Sequence, residues 1–292
     1  ERLNLHTSVL DFKDKLTWTL IASGNTLGIF QLGGKTTKEV VQTIRPNNLE
    51  ELSLCNTFSR PGPLSVRAHV QYADRVSNPN KVLYIHPTVE YALKPTLGLL
   101  AYQEQLIYIC RDMCGFTPSE TETIRKGVGK KDPEILKKLS DQFISGAVKN
   151  NISKEIAIKM WNIILPCADY IFNKSHALGY SVLAYKGAYL KAHYPREFYA
   201  AAISNEINHG GSDGQERVVE FLQEMVKRRM PLESPSVQYS GSRCKIDDEG
   251  YVLLPLNMAK DVGSKIADII ESLQPFDSLE DFLTRTESNL LR

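Results

Sequence analysis

A mainly α fold, helical over about the first 209 residues and followed by a small α/β segment, is predicted by three features of the sequence. Apolar residues recur at helical period through stretches such as 98–113 and 215–229. Helix-start signals precede such stretches: Thr117-Pro118-Ser119-Glu120 has the order of a capping box with proline first, and Asp132-Pro133-Glu134 repeats the logic. One alternating patch, 244–256, is broken by Asp247-Asp248-Glu249-Gly250 and reads as a β-hairpin.

The elements follow in order. Residues 1–17 read as a linker into a helix, and Leu27-Gly28-Ile29-Phe30-Gln31-Leu32 as a strand or a tight turn. Helices are expected over 36–44 and 49–57, the second capped by Asn48. Arg60-Pro61-Gly62-Pro63 is expected to be a rigid loop, and 72–88 loop-like. Further helices are expected to about residue 128, then over about 132–150, 153–165, 175–194 and 196–206. Gly210-Gly211-Ser212-Asp213-Gly214 reads as a flexible joint. It divides the chain into domains 1–209 and 210–292. A last amphipathic piece covers 278–284.

The chain has 292 residues, 42% hydrophobic and 24% charged, a balance that supports a packed soluble protein. No apolar run approaches the roughly 18 residues of a membrane span. The start, Glu1-Arg2-Leu3-Asn4, has no secretory leader and no Met, which reads as a fragment or a processed product. Five cysteines, an odd number, do not suggest a disulfide framework, so a cytoplasmic location is expected. Cys110 and Cys114 lack a second ligand pair and read as packed thiols rather than a zinc site. The net charge of +1 carries no whole-chain bias toward nucleic acid, so charge must be read locally.

Three clusters carry candidate chemistry. Arg125-Lys126-Gly127-Val128-Gly129-Lys130-Lys131 places four cations and two glycines at a helix end. Such a group can grip phosphates, or simply match the helix dipole. Asn173-Lys174-Ser175-His176 can donate hydrogen bonds to phosphate oxygens at a helix start, or can be an ordinary cap. Lys260-Asp261-Val262-Gly263-Ser264-Lys265 is a glycine turn that can offer backbone N–H groups and two cations to a DNA phosphate, or is a plain turn. No Asp-x-Asp pair suited to two metal ions is present, and no nucleophile motif.

Taken together, Gly28-Ile29-Phe30-Gln31-Leu32, Arg60-Pro61-Gly62-Pro63-Leu64, His86-Pro87, Thr96-Leu97-Gly98-Leu99-Leu100-Ala101-Tyr102-Gln103-Glu104-Gln105, Phe172-Asn173-Lys174-Ser175-His176-Ala177 and Ala192-His193-Tyr194-Pro195-Arg196-Glu197-Phe198-Tyr199 resemble the alpha subunits of bacterial DNA polymerase III, the family C polymerases. The resemblance covers nearly the whole chain and looks like the Gram-negative type; divergence elsewhere suggests a phage or mobile-element copy.

It implies a fingers domain in which Arg125, Lys126, Asn173, Lys174, Ser175 and His176 face the triphosphate of an incoming dNTP. Lys126 stands where the family usually has arginine, which keeps the charge but loses the planar fork. Lys130, Lys131, Lys260, Gly263, Ser264 and Lys265 are implied contacts to template-primer DNA, the last four in a partial helix-hairpin-helix region with the family's glycine-rich lead-in replaced by Leu256-Asn257-Met258-Ala259.

Tyr102, Gln103 and His86 read as structural. The resemblance places the catalytic aspartates and their Mg²⁺ in a palm domain upstream of this sequence, so the chain alone is expected to be inactive and to bind no cofactor. The C-terminus is expected to stop inside a second hairpin unit. Two rival readings are a free-standing, non-catalytic fingers-like protein that modulates a polymerase, and a DNA-binding module acting only through 210–292.

Overall fold

The computed structural model describes residues 6, 10–128, 132–167 and 171–290. The protein packs as two compact units, Glu1–Lys186 and Gly187–Arg292. Helices dominate both among the described residues, and no described helix is long and apolar enough to cross a membrane.

The first unit opens with α1 (Lys15–Ala22), α2 (Lys35–Ile44), α3 (Leu49–Phe58), α4 (Pro61–Ser65) and α5 (Ala68–Ser77). Local hydrogen bonds start these helices. Asp14 accepts from the N–H groups of Leu16 and Thr17 at 3.1 and 3.4 Å, and Asn48 from that of Glu51 at 2.9 Å. Val40, Val41, Leu52, Cys55, Phe58 and Tyr72 are buried where α2 meets α3 and α5. The 27–32 run is a tight turn: Gly28 and Gln31 have φ of 76° and 61°, and Thr26 donates across it to the Leu32 carbonyl at 2.6 Å.

Two sequence expectations give way here. Pro61-Gly62-Pro63 opens α4 instead of forming a loop, because first-turn N–H groups have no intrahelical partner and proline loses nothing there. The 72–88 segment begins inside α5, whose Ala68 and Tyr72 bury one face four residues apart.

The main core of this unit lies between α7 (Gln103–Cys114), α8 (Pro118–Val128), α9 (Pro133–Lys149) and α10 (Lys154–Cys167), which follow the short α6 (Glu90–Leu93). Leu106, Ile109, Cys110 and Met113 form the apolar stripe of α7 against Ile124, Leu139, Phe143, Met160 and Trp161. Both paired thiols belong to this core. Burial pushes Cys110 well above the usual thiol range and Cys114 to about 12, and the Cys114 thiol donates to the Phe143 carbonyl at 3.3 Å. The capping box at α8 forms as expected: Thr117 Oγ1 accepts from Glu120 N–H at 3.3 Å, and Glu120 Oε2 accepts from Thr117 N–H at 2.9 Å. Asp132 caps α9 through the N–H groups of Glu134 and Ile135.

The second unit contains the end of α11 (Lys174–His193), then α12 (Pro195–His209) and α13 (Gly211–Lys227). Residues 211–214 are the first turn of α13 rather than a flexible joint. Close approach explains the glycines: a Cβ on Gly210 or Gly214 would lie 2.6 Å from the Glu206 carbonyl oxygen. Tyr199 and Phe221 pack between α12 and α13. The fully buried Lys191 is 3.1 Å from the Glu224 carboxylate, which Arg228 also meets at 3.1 Å.

Strands β1 (Leu232–Glu233), β2 (Lys245–Ile246) and β3 (Val252–Leu253) follow, in the sheet order β1-β3-β2. The expected hairpin is β2–β3, antiparallel, with Ile246 opposite Val252 and the Asp247 carboxylate accepting from Tyr251 N–H across the turn at 2.7 Å. The parallel strand β1 was not expected; it has two residues and no period to read. Helices α14 (Ser264–Leu273) and α15 (Leu279–Leu290) close the unit around Leu256, Ala267, Ile270, Phe276 and Phe282.

Two helical glycines separate packing from propensity. A Cβ on Gly146 would lie 2.9 Å from Cys114 Cβ and 3.0 Å from its carbonyl oxygen, whereas nothing lies within 4 Å of one on Gly179. Gly146→Ala is expected to destabilise by about 1–3 kcal/mol. That outweighs the roughly 1 kcal/mol that alanine adds to a helix. Gly179→Ala is expected to stabilise by about 0.5–1 kcal/mol. Urea unfolding followed by circular dichroism checks both; shifts of the same sign would contradict the packing.

Candidate functional site

The starts of α7 and α11, distant in sequence, lie side by side. Tyr102 and Phe172 form a parallel β-bridge. Phe172 N–H donates to the Ala101 carbonyl and Gln103 N–H to the Phe172 carbonyl, both at 3.0 Å.

Gln105 holds the strand-like approach in place. Its Oε1 accepts from the N–H groups of Ala101 and Tyr102 at 2.8 Å each, and its Nε2 donates to the Ala92 carbonyl at 3.0 Å and Thr96 Oγ1 at 2.7 Å. The side chain is 5% exposed, so every one of these bonds replaces one to water. The buried Tyr102 phenol, raised far above its usual pKa by desolvation, shares a 2.5 Å hydrogen bond with Ser53 Oγ. His86 caps a 3₁₀ turn, with Nδ1 accepting from Thr88 N–H. Tyr102 and His86 are thus engaged by side-chain hydrogen bonds, and Gln103 joins the bridge through its backbone N–H.

The α11 start combines a cap with exposed donors. Asn173 Oδ1 accepts from His176 N–H at 2.9 Å and from Ser175 Oγ at 2.6 Å. The Glu104 carboxylate accepts from Lys174 N–H at 3.1 and 3.0 Å. These acceptors fill most of the helix-end N–H positions, so an anion here would meet side chains more than backbone. Lys174 Nζ lies 3.5 Å from Glu50 Oε1 and 5.9 Å above the Tyr102 ring.

From this point a row of π groups runs along α11. Arg60 lies 3.9 Å over Phe172, Phe172 is 5.3 Å from His176, His176 is 4.0 Å from Tyr180, and Tyr180 is 5.1 Å from Phe30. An open groove of about 680 Å³ beside the row is lined by Asn173, Ser175, His176, Gly179, Tyr180 and Leu183.

At the end of α8, Glu122 organises the cations. Arg125 donates to it twice, Nε to Oε2 at 2.8 Å and Nη2 to Oε1 at 2.7 Å, and Lys126 Nζ lies 3.3 Å from Oε1. Hydrogen bonding from Arg125, above all, holds the Glu122 carboxyl down at about 2. Lys130 and Lys131 lie outside the described residues.

In the second unit, the 260–265 segment links a single 3₁₀ turn, Leu256–Met258, to α14. The first helix expected of this hairpin is thus one turn long. Asp261 takes the left-handed conformation, φ 65°, that glycine adopts without cost. Gly263 begins α14 with no side-chain cap, and Lys260, Gly263, Ser264 and Lys265 are exposed. Ser264 Oγ donates to Asn208 Oδ1 at 2.7 Å.

Sequence reasoning gave no site role to Glu104, Glu122 or Tyr180. Glu122 was readable from its spacing of three and four to Arg125 and Lys126. Tyr180 lies one helical turn from His176. Glu104 meets Lys174 across 70 residues, which no local pattern reveals. Among the described residues, no group of His, Cys, Asp and Glu is arranged to hold a metal ion.

The family model for the bacterial DNA polymerase III alpha subunit finger domain matches residues 1–151, and a helix-hairpin-helix motif matches 229–292. The DNA polymerase III subunit alpha of Halalkalibacterium halodurans is 34% identical over 292 residues, covering 99% of this chain and 25% of that protein. That of Saccharopolyspora erythraea is 34% identical over 288 residues, covering 96% and 24%. That of Pseudomonas aeruginosa is 31% identical over 296 residues, covering 98% and 25%. The chain spans about a quarter of the length of these curated relatives.

Removing the Glu104 cap tests the junction. Glu104→Ala is expected to speed amide exchange in the first turn of α11 about five-fold, the effect of losing about 1 kcal/mol of capping, with mid-α9 amides unchanged. Unaltered exchange at α11 would show that the contact does not hold the helix start.

Proposed function

The chain belongs to the bacterial DNA polymerase III alpha subunit finger family, and on that premise we propose that it is the fingers region of a DNA-directed DNA polymerase that grips the incoming dNTP. Residues 1–209 act as the fingers body, and residues 210–292 as its extension with part of a helix-hairpin-helix region. The observation that carries this reading is the α7–α11 junction, which places Ser175 and His176 on an open groove with Tyr180, and the Lys174 ammonium at the same helix start beside Glu50 and Tyr102.

The chemistry asked of such a site is electrostatic. A triphosphate carries several negative charges, and pyrophosphate leaves with them, so cations aimed at it stabilise both binding and departure. Arg125 supplies a planar fork and Lys126 and Lys174 supply point charges, while Ser175 and His176 donate hydrogen bonds. The three-residue connection between the packed helices α7 and α8 supports one site over two. A short link of that kind joins antiparallel neighbours and would return Arg125 toward the α7 start. The His176–Tyr180 rings then face the nucleotide beyond its phosphates, since Tyr180 lies about 9 Å along the helix from Lys174.

Template-primer DNA is the second ligand of this reading. The helix-hairpin-helix match and the exposed Lys260 and Lys265 beside the uncapped start of α14 support a phosphate-backbone contact without base readout. The Mg²⁺ ions of the intact polymerase belong to carboxylates of a palm domain. The described residues of this chain do not fit them, so no step here passes through a metal.

Binding of a fluorescent dNTP to the full chain tests the grip. Arg125→Ala and Lys174→Ala are each expected to weaken it about ten-fold, the loss of one charge-assisted contact. Unchanged binding in both variants would refute the assignment. For DNA, replacing Lys260 and Lys265 together by alanine is expected to lower the salt slope of duplex binding by about 1–2. An unaltered slope would remove the hairpin from the DNA contact.

A further inference from the structure

Each described cation of the proposed grip already has a carboxylate. Glu122 takes both arms of the Arg125 fork at 2.8 and 2.7 Å and also meets Lys126 at 3.3 Å. Glu50 lies 3.5 Å from Lys174 Nζ. The guanidinium fork matches a carboxylate and a phosphate in the same way, through two parallel N–H···O bonds. Glu122 therefore sits where a phosphate would have to sit.

The side chains of Glu122, Arg125 and Lys126 are 43%, 30% and 66% exposed, so the cluster is open to solvent and to an incoming anion. Glu120, on the same helix, differs. Its carboxylate is turned back to Thr117 N–H and Oγ1 at 2.9 and 2.8 Å and, among the described residues, meets neither Arg125 nor Lys126.

We propose that Glu122 is a specificity-setting residue of the nucleotide site, an internal rival that holds Arg125 and Lys126 until a polyphosphate displaces it. The inference rests on the nucleotide reading above. A rival that engages two cations at once favours ligands able to replace both contacts, which a triphosphate does and a single phosphate does less well. Empty, the cluster has one of its two positive charges compensated by Glu122, which lowers the repulsion between Arg125 and Lys126.

Equilibrium binding of a fluorescent dATP analogue to the full chain, compared among wild type, Glu122→Gln and Glu120→Gln, tests this. Glutamine keeps the size of the side chain, and at position 120 it also keeps the capping box. The exchange predicts binding about three- to ten-fold tighter in Glu122→Gln and within about two-fold of wild type in Glu120→Gln. Binding that is equal or weaker in Glu122→Gln, with wild type still binding, would overturn the rivalry and leave the nucleotide site standing. An equal gain in Glu120→Gln would reduce the effect to net charge and overturn it too. No binding in wild type or either variant would sink the nucleotide reading and this inference with it.

Discussion

Two peptide hydrogen bonds between residues 101–103 and Phe172 are the constraint on which the candidate site depends. They close the chain segment that contains α7 to α10, so the core built from Leu106, Ile109, Phe143 and Trp161 lies inside the loop they fasten. The closure is extended backbone at a helix start, a conformation that would fray if left to itself. Gln105 prevents that by saturating its carboxamide with local partners inside a buried pocket. The exposed donors at α11 are thus mounted on a rigid element, which is what a charge-positioning site needs.

The electrostatics divide along the same line. Glu104 is spent on structure, since it binds the backbone N–H of Lys174 and sets the helix end. Glu122 and Glu50 are spent on side-chain cations at the surface, where a competing anion can reach them. Carboxylates that look alike in composition therefore do opposite work, and only their partners tell them apart.

Much of this was legible from local chemistry. The caps at Asn48, Thr117 and Asp132 use partners within three residues, so the sequence contains the whole interaction. Helices with one apolar face, such as α7 and α13, were legible from their period. What escaped were features set by distant contacts or by exceptions to a rule. Prolines at the start of α4 read as a break because their harmlessness depends on helix position. Gly210 and Gly214 read as flexible because the Glu206 carbonyl that requires them belongs to another turn of chain. In the candidate site, the cations were visible and their counter-ions were not weighed. Residue spacing alone left these cations open between a grip and a cap, and the resemblance to family C polymerases supplied the expectation of a grip.

The central claim is that Arg125–Lys126 and Lys174–His176 serve one polyphosphate site. The most direct test is a titration of the isotope-labelled full chain with dATP, followed by amide and side-chain chemical shifts. The account predicts that signals of both segments move together, on a single binding curve, while those of Lys260–Lys265 stay still. Shifts confined to one segment, or separate curves for the two, would contradict it.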